Sequence, residues 1–266
     1  MPVRRTAAPA NPVLASRAAM QTSPAGSGAS AITDGPHLTL LGGFGLRIGE
    51  DSVPLAPSAQ RLVALLALHD TPLRRGYVAG LLWGESTEAR AHGCLRSALW
   101  KLQMARPGIV WIAGDSLGLS QDVDVDLKRA TGLARALVTG RFDEESVFVL
   151  LEPRFCCELL PGWYDEWVIL ERERHRQLSL HALESLCEHL TSTRRYGAAV
   201  LAGLAAVDRE PLRESAHRAL IRVHLAEGNA CEAIRRYRLY ETIVARDLGV
   251  GPSPLMRSLV SGIAPT

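Results

Sequence analysis

Lysine is almost missing from this sequence: only Lys101 and Lys128 stand among its 30 basic residues. A GC-rich coding sequence favours arginine codons, so the bias itself carries no functional weight. Neither sign of charge dominates, with 28 acidic residues and a formal net charge of +2. A surface for nucleic acid must therefore be a local patch. No C-x-x-C pair occurs, and the five cysteines (Cys94, Cys156, Cys157, Cys187 and Cys231) are odd in number. That argues against a zinc site and a disulfide framework, and the expectation is reduced thiols in a cytoplasm. The longest apolar run, Ala198 to Val207, is too short for a bilayer. Arg4 and Arg5 are not followed by the apolar core of an export signal, so no membrane partner is expected. There is no G-x-x-x-x-G-K-[ST], no H-E-x-x-H and no Ser-His-Asp signature. No catalytic constellation is present, and the chain is expected to be no enzyme and to need no cofactor or metal.

What the sequence does have is 47% hydrophobic residues, enough for a real core. Residues 1–36 are rich in Ala, Pro, Ser and Gly without any period, which reads as a disordered leader. From His37, "HLTLLGGFGLRIG" alternates as a strand pair, and "DSVPLAP" adds a short extended piece. "SAQRLVALLALHD" is a first helix with Ser58 as its expected N-cap. In "TPLRRGYVAGLLWGE", Thr71 and Pro72 suit the start of a second. "EARAHGCLRSALWKLQ" is a third, with Leu95, Leu99 and Leu102 on one apolar stripe. "GIVWIAGDSLGLSQ" then reads as a β-hairpin turning at Gly114-Asp115-Ser116. Strands, three helices and a hairpin, in that order, make a winged helix-turn-helix (α+β) over residues 37–121. In that fold the third helix enters the major groove and the hairpin lies on the backbone.

Charge follows the same division. Between Arg61 and Arg106 seven basic residues face three acidic ones, whereas between Arg141 and Leu170 two face seven. The third helix, after Glu88, carries donors and no acid. His92, Arg96 and Ser97 are the candidates for reading base edges, with Arg96 able to pair bidentately with guanine. Arg61, Arg74, Arg75, Arg90 and Lys101 are the candidates for phosphate contact. Trp100 sits at a flanking position from which it can pack beneath the hairpin. Glu166, Glu171, Glu173 and His175 have the look of a metal cluster, but Arg172, Arg174 and Arg176 interleave with them and would repel a cation. A salt-bridged helix surface is the better reading.

Residues 122–266 read as almost all helix, over roughly 125–139, 163–191, 194–207, 212–227 and 230–247. Ala199 and Val200 recur as Ala233 and Ile234, an offset of 34, and Ala199, Ala206 and Pro211 keep the small-small-Pro spacing of a tetratricopeptide unit. The fold class is thus mostly α, a winged helix followed by an all-α tetratricopeptide-like domain.

The two halves together resemble the Streptomyces antibiotic regulatory proteins, which carry an OmpR-type winged helix and a bacterial transcriptional activation domain. The matching stretches are "LTLLGGFGLRI", "PLAPSAQRLVALLAL", "LLWGE", "CLRSALWKLQ", "GDSLGLSQDVDVD" and "PLRESAHRALIRVHLAEGNACEAIRRYRLYETIVARDLGVGPSPLM". The resemblance spans about His37 to Ile263. It implies activation of a secondary-metabolite gene cluster, binding to direct repeats in double-stranded promoter DNA, and contact with RNA polymerase holoenzyme. It also implies a cytoplasmic, nucleoid-associated protein. A homodimer or side-by-side pair on DNA is a further expectation, because stacked helix pairs can join two copies. Larger members add an ATPase module; without a phosphate loop, direct ATP sensing is not expected here. Two other classes compete: a helical protein-interaction scaffold that binds no specific DNA, and an ATPase by family analogy.

Overall fold

The computed structural model describes residues 35–141, 155 and 157–263. The expected leader falls mostly on residues 1–34, outside the described residues, as do Cys156 and most of the acidic run after Arg141. The first strand opens at Pro36. Strands β1 (Pro36–Thr39) and β2 (Gly45–Ile48) pair antiparallel, and β3 (Asp51–Ser52) adds to β2. The register sets Leu38 opposite Leu46, so the alternation seen in sequence buries both on one face.

Helix α1 (Pro57–Ala67) starts one residue before its expected cap. Ala56 is the N-cap and Pro57 the first helical residue, so Ser58 lies inside the helix and caps nothing. Proline at this position has no N–H to satisfy and already holds a helical φ. The second helix also begins elsewhere than Thr71-Pro72 suggested. Leu73 and Arg74 form β4 by pairing with β6 (Ser116–Leu119), and α2 runs Arg75–Leu82. Local capping signals lost here to a strand pairing with residues more than forty positions away. Helix α3 (Glu88–Ala105) and the hairpin of β5 (Val110–Ala113) with β6 complete the winged helix in the expected order.

The chain then returns to the first sheet. Strand β7 (Asp124–Val125) pairs parallel to β1, and α4 (Asp126–Val138) follows at once. The Asp126 carboxylate accepts the backbone N–H groups of Leu40 and Leu41 at 2.9 and 3.1 Å. Its burial pushes its pKa up although those bonds pull the other way. Beyond Asp126 the same edge is met by a later segment: Gly42 N–H donates to Glu158 O at 2.8 Å and Leu160 N–H to Leu40 O at 2.9 Å. Leu159, Leu160, Trp167 and Val168 are buried in one cluster with Leu38, Leu62, Leu95 and Leu117. Residues on both sides of position 122 thus share one core.

Helix α5 (Glu166–Ser192) begins in that core and leaves it. Near the exit Arg172 donates to the carbonyls of Leu159, Leu160 and Trp163 at 2.9, 2.7 and 2.8 Å and pairs with Glu158 at 3.0 Å. Leu160 is held there with φ 44°, an unfavourable region for a branched side chain, so these bonds offset local strain. The stack continues as α6 (Tyr196–Arg209), α7 (Glu214–Glu227), α8 (Ala230–Leu248) and short α9 (Pro254–Ser258). Ala199, Ala206 and Ala233, read as repeat positions, are all fully buried. A Cβ on Gly203 would stand 3.1 Å from Leu220 and 3.3 Å from Cys187, so glycine permits the close approach of α6 to its neighbours. Ion pairs reach from α5 past the body of α6: Glu188 to Arg222 of α7 at 3.2 Å and Arg176 to Glu210, just beyond α6, each span 34 residues.

The suspected metal residues on α5 are salt-bridged as expected: Glu171 pairs with Arg174, and Glu173 with Arg176 at 2.8 Å. His175 is instead buried; Ser179 Oγ donates to its carbonyl at 2.7 Å and lies 3.5 Å from its Nε2, and its Nδ1 has no partner among the described residues.

Two outcomes follow from this packing. Burial, with the charge of Arg209, pushes the His175 pKa from 6.5 down to about 4. The neutral ring therefore stabilises the fold above pH 6.5, and that contribution is lost as pH falls toward 4. Between pH 7 and 4.5 the wild type should lose about 2 kcal/mol more unfolding free energy than His175→Leu. Urea titrations at the two pH values check this; equal losses would refute it. A chain ended after Asp122, lacking β7, Asp126 and the four apolar residues from 159–168, should lose its cooperative thermal transition in circular dichroism. Melting like the intact chain would show that the shared core is dispensable.

Candidate nucleic-acid interface

Helix α3 buries Ala91, Leu95, Ala98 and Leu102, with Leu99 half-buried at the margin. The two alanines let the helix sit close to α1 and α2 and leave the opposite side to solvent. Arg90, Arg96, Ser97 and Lys101 are exposed on it. His92 is half-buried beside the apolar stripe, with Nε2 3.9 Å from Glu88. It belongs to the edge of the outward face rather than its centre. The Arg96 guanidinium reaches back over Gly93, where a Cβ would meet it at 3.7 Å.

The remaining basic candidates separate into two groups. Arg74, in β4, faces Ser116 across the wing sheet, and Arg75 N–H donates to Asp115 O at the hairpin turn, 2.8 Å away. Both therefore stand where the start of α2 meets the wing tip. The α2 N-terminus adds unpaired backbone N–H groups, which attract anions. Arg61 is the other group. On α1 it pairs with Asp165, which precedes α5, so its charge is committed to the shared core rather than to a phosphate. Its Nε is also buried without a partner among the described residues.

Among the described residues no carboxylate pairs with Arg74, Arg75, Arg90, Arg96 or Lys101. The helical half is the contrary case: Arg172, Arg176, Arg213, Arg218 and Arg222 all hold glutamates. Uncommitted cations on a projecting helix and beside a hairpin create a positive face able to hold polyanions. The hairpin is stiffened from within. Trp111 lies over Gly118, where a Cβ would be only 2.5 Å from the ring, so this cross-strand pair requires glycine.

Trp100 was missed as a member of the face. It does not pack beneath the hairpin: it is 64% exposed, on the far side of α3 from the buried stripe. The spacing carried the signal, because a helical wheel places position 100 opposite Ala91 and Ala98.

Residues 157–264 match the family described as bacterial transcriptional activator domain. No curated protein matches the sequence. Among solved structures, Mycobacterium tuberculosis EmbR in complex with a low-affinity phosphopeptide is similar at a TM-score of 0.67 and 22% identity. The match covers 85% of this chain and 64% of that one, so the chain spans less than two thirds of the EmbR length. That likeness concerns the fold: a winged helix joined to an all-α stack. Among the described residues no helix is long and apolar enough to cross a membrane.

Proposed function

We propose that the chain is a sequence-specific DNA-binding activator whose α3 reads the major groove of promoter DNA. The observation that carries this is the set of unpaired donors on the outward face of α3, in front of an activator domain. Arg96 and Ser97 are the base-reading residues, and His92 touches the groove from the side. Arg90 and Lys101 on α3, with Arg74 and Arg75 beside the wing, hold phosphates and fix the register. Arg61 is left out of the contact set because Asp165 holds it.

The 37–121 portion is proposed as the DNA-binding part and 122–266 as the activator part. The stacked helices of the latter offer surface for RNA polymerase holoenzyme and for a second copy of the chain, placing a side-by-side pair on direct repeats. Regulation of a secondary-metabolite cluster in the cytoplasm is the biological setting that the family resemblance favours. The absence of acids from the α3 face weighs against the scaffold alternative, in which nothing would require unpaired cations there.

Arg96→Ala should weaken binding to a selected duplex by about 1–3 kcal/mol and blunt preference at one base pair, as read in a gel-shift series with single-site variants. Unchanged affinity and unchanged preference would remove Arg96 from the reading face. Arg74→Ala with Arg75→Ala should weaken specific and non-specific duplexes alike. Log affinity against log salt should become shallower by about 0.9 per lost phosphate contact. A retained slope would mean that these arginines touch no phosphate.

A further inference from the structure

The sequence has five tryptophans, and four are used by the fold. Trp83 is half-buried against the first core, Trp111 covers Gly118, and Trp163 stacks on Phe44 and meets Trp167 edge-on at centroid distances of 6.1 and 6.4 Å. Trp100 is different. Its ring stands in solvent at the middle of the outward face of α3, with Met104 one turn further on also 69% exposed. A large apolar ring on a helix whose other side already supplies the core stripe adds nothing to internal packing. Its surroundings identify what would cover it. Arg96 precedes it by four residues, one turn away on the same face, and Lys101 is exposed about 100° round the helix at the flank of that face; among the described residues neither is paired with a carboxylate.

An apolar ring inside a cationic frame matches one edge of double-stranded DNA. The major groove is flanked by phosphates, and the apolar group that a base presents there is the C5-methyl of thymine. A second copy of this chain is the competing occupant. It would bring Arg96 and Lys101 toward their own copies, and the like charges oppose that.

We propose that Trp100 is a specificity-determining residue that packs its indole on a thymine C5-methyl in the major groove, next to the base pair met by Arg96. This rests on the DNA-reading role of α3 proposed above and adds to it an apolar element that hydrogen-bond donors cannot supply. The same site then reads guanine by charge-assisted hydrogen bonds and thymine by shape.

The test uses the full chain and duplexes that it selects from a randomised library. Each thymine of the selected duplex is replaced in turn by uracil, which deletes only the methyl group. Wild type should bind about four-fold more weakly at one such position, the loss of one buried methyl. Trp100→Ala should bind the thymine and uracil duplexes equally, with unchanged melting temperature and unchanged salt slope, and Trp100→Phe should recover part of the discrimination. Indifference of the wild type to every uracil, or full discrimination by Trp100→Ala, would overturn the assignment. So would a Trp100→Ala variant that loses only the binding of a second copy on the duplex. A library that yields no preferred sequence is a separate result, and it would overturn the DNA-reading role of α3 itself.

Discussion

The end of β1 has to be closed, and everything else in this molecule is arranged around how that is done. The backbone N–H groups of Leu40 and Leu41 find their acceptor in the Asp126 carboxylate, and Leu40 O finds its donor in Leu160 N–H. Buried backbone groups left unpaired would each cost about 1–3 kcal/mol. The partners come from 86 and 120 residues away, so the winged helix cannot satisfy its own sheet. The residues flanking those partners enter the same core, where Leu159, Leu160, Trp167 and Val168 are all buried. Full burial of such side chains contributes about 1.5–3 kcal/mol each. Arg172 then fixes the segment from α5 through three carbonyls.

This has a mechanical consequence. The winged helix and the helical stack are joined through α5, whose first turns belong to one core and whose later turns, with Leu186 and Leu190, belong to another. A 27-residue helix is stiff on this scale. Orientation is passed along a packed rod rather than across a loose linker, so the position of the wing sets where the helical stack stands. The charge distribution serves the same division. Arg213 and Arg222 of the helical half hold glutamates of a neighbouring helix, whereas among the described residues no carboxylate pairs with Arg90 or Arg96 of α3 or with Arg74 and Arg75 beside the wing.

Much of this was legible in the sequence because it is periodic. The Leu95/Leu102 stripe, the Ala199/Ala206/Ala233 repeat and the hairpin at Gly114 each write their period into a short window. Caps were less legible. Ser58 and Thr71 are good N-cap types, yet Pro57 captured the first helix and the pairing of Leu73 with Leu117 delayed the second. Arg61 was indistinguishable from Arg74 by composition, because its partner Asp165 lies 104 residues on. Trp100 was read as flanking the stripe, although helical spacing sets position 100 opposite Ala91 and Ala98. Long-range closure of the sheet by Asp126 leaves no local trace at all, since an aspartate at a helix start is unremarkable by itself.

Major-groove reading by α3 is tested most directly by methylation interference on a duplex that the full chain has selected. Dimethyl sulfate methylates guanine N7 in the major groove and adenine N3 in the minor groove, on the same DNA and in the same reaction. N7 methylation of a guanine within the selected sequence should exclude the duplex from the bound fraction, while N3 methylation of adenines across the same base steps should leave binding intact. Interference confined to adenine N3, or none at either atom, would contradict it.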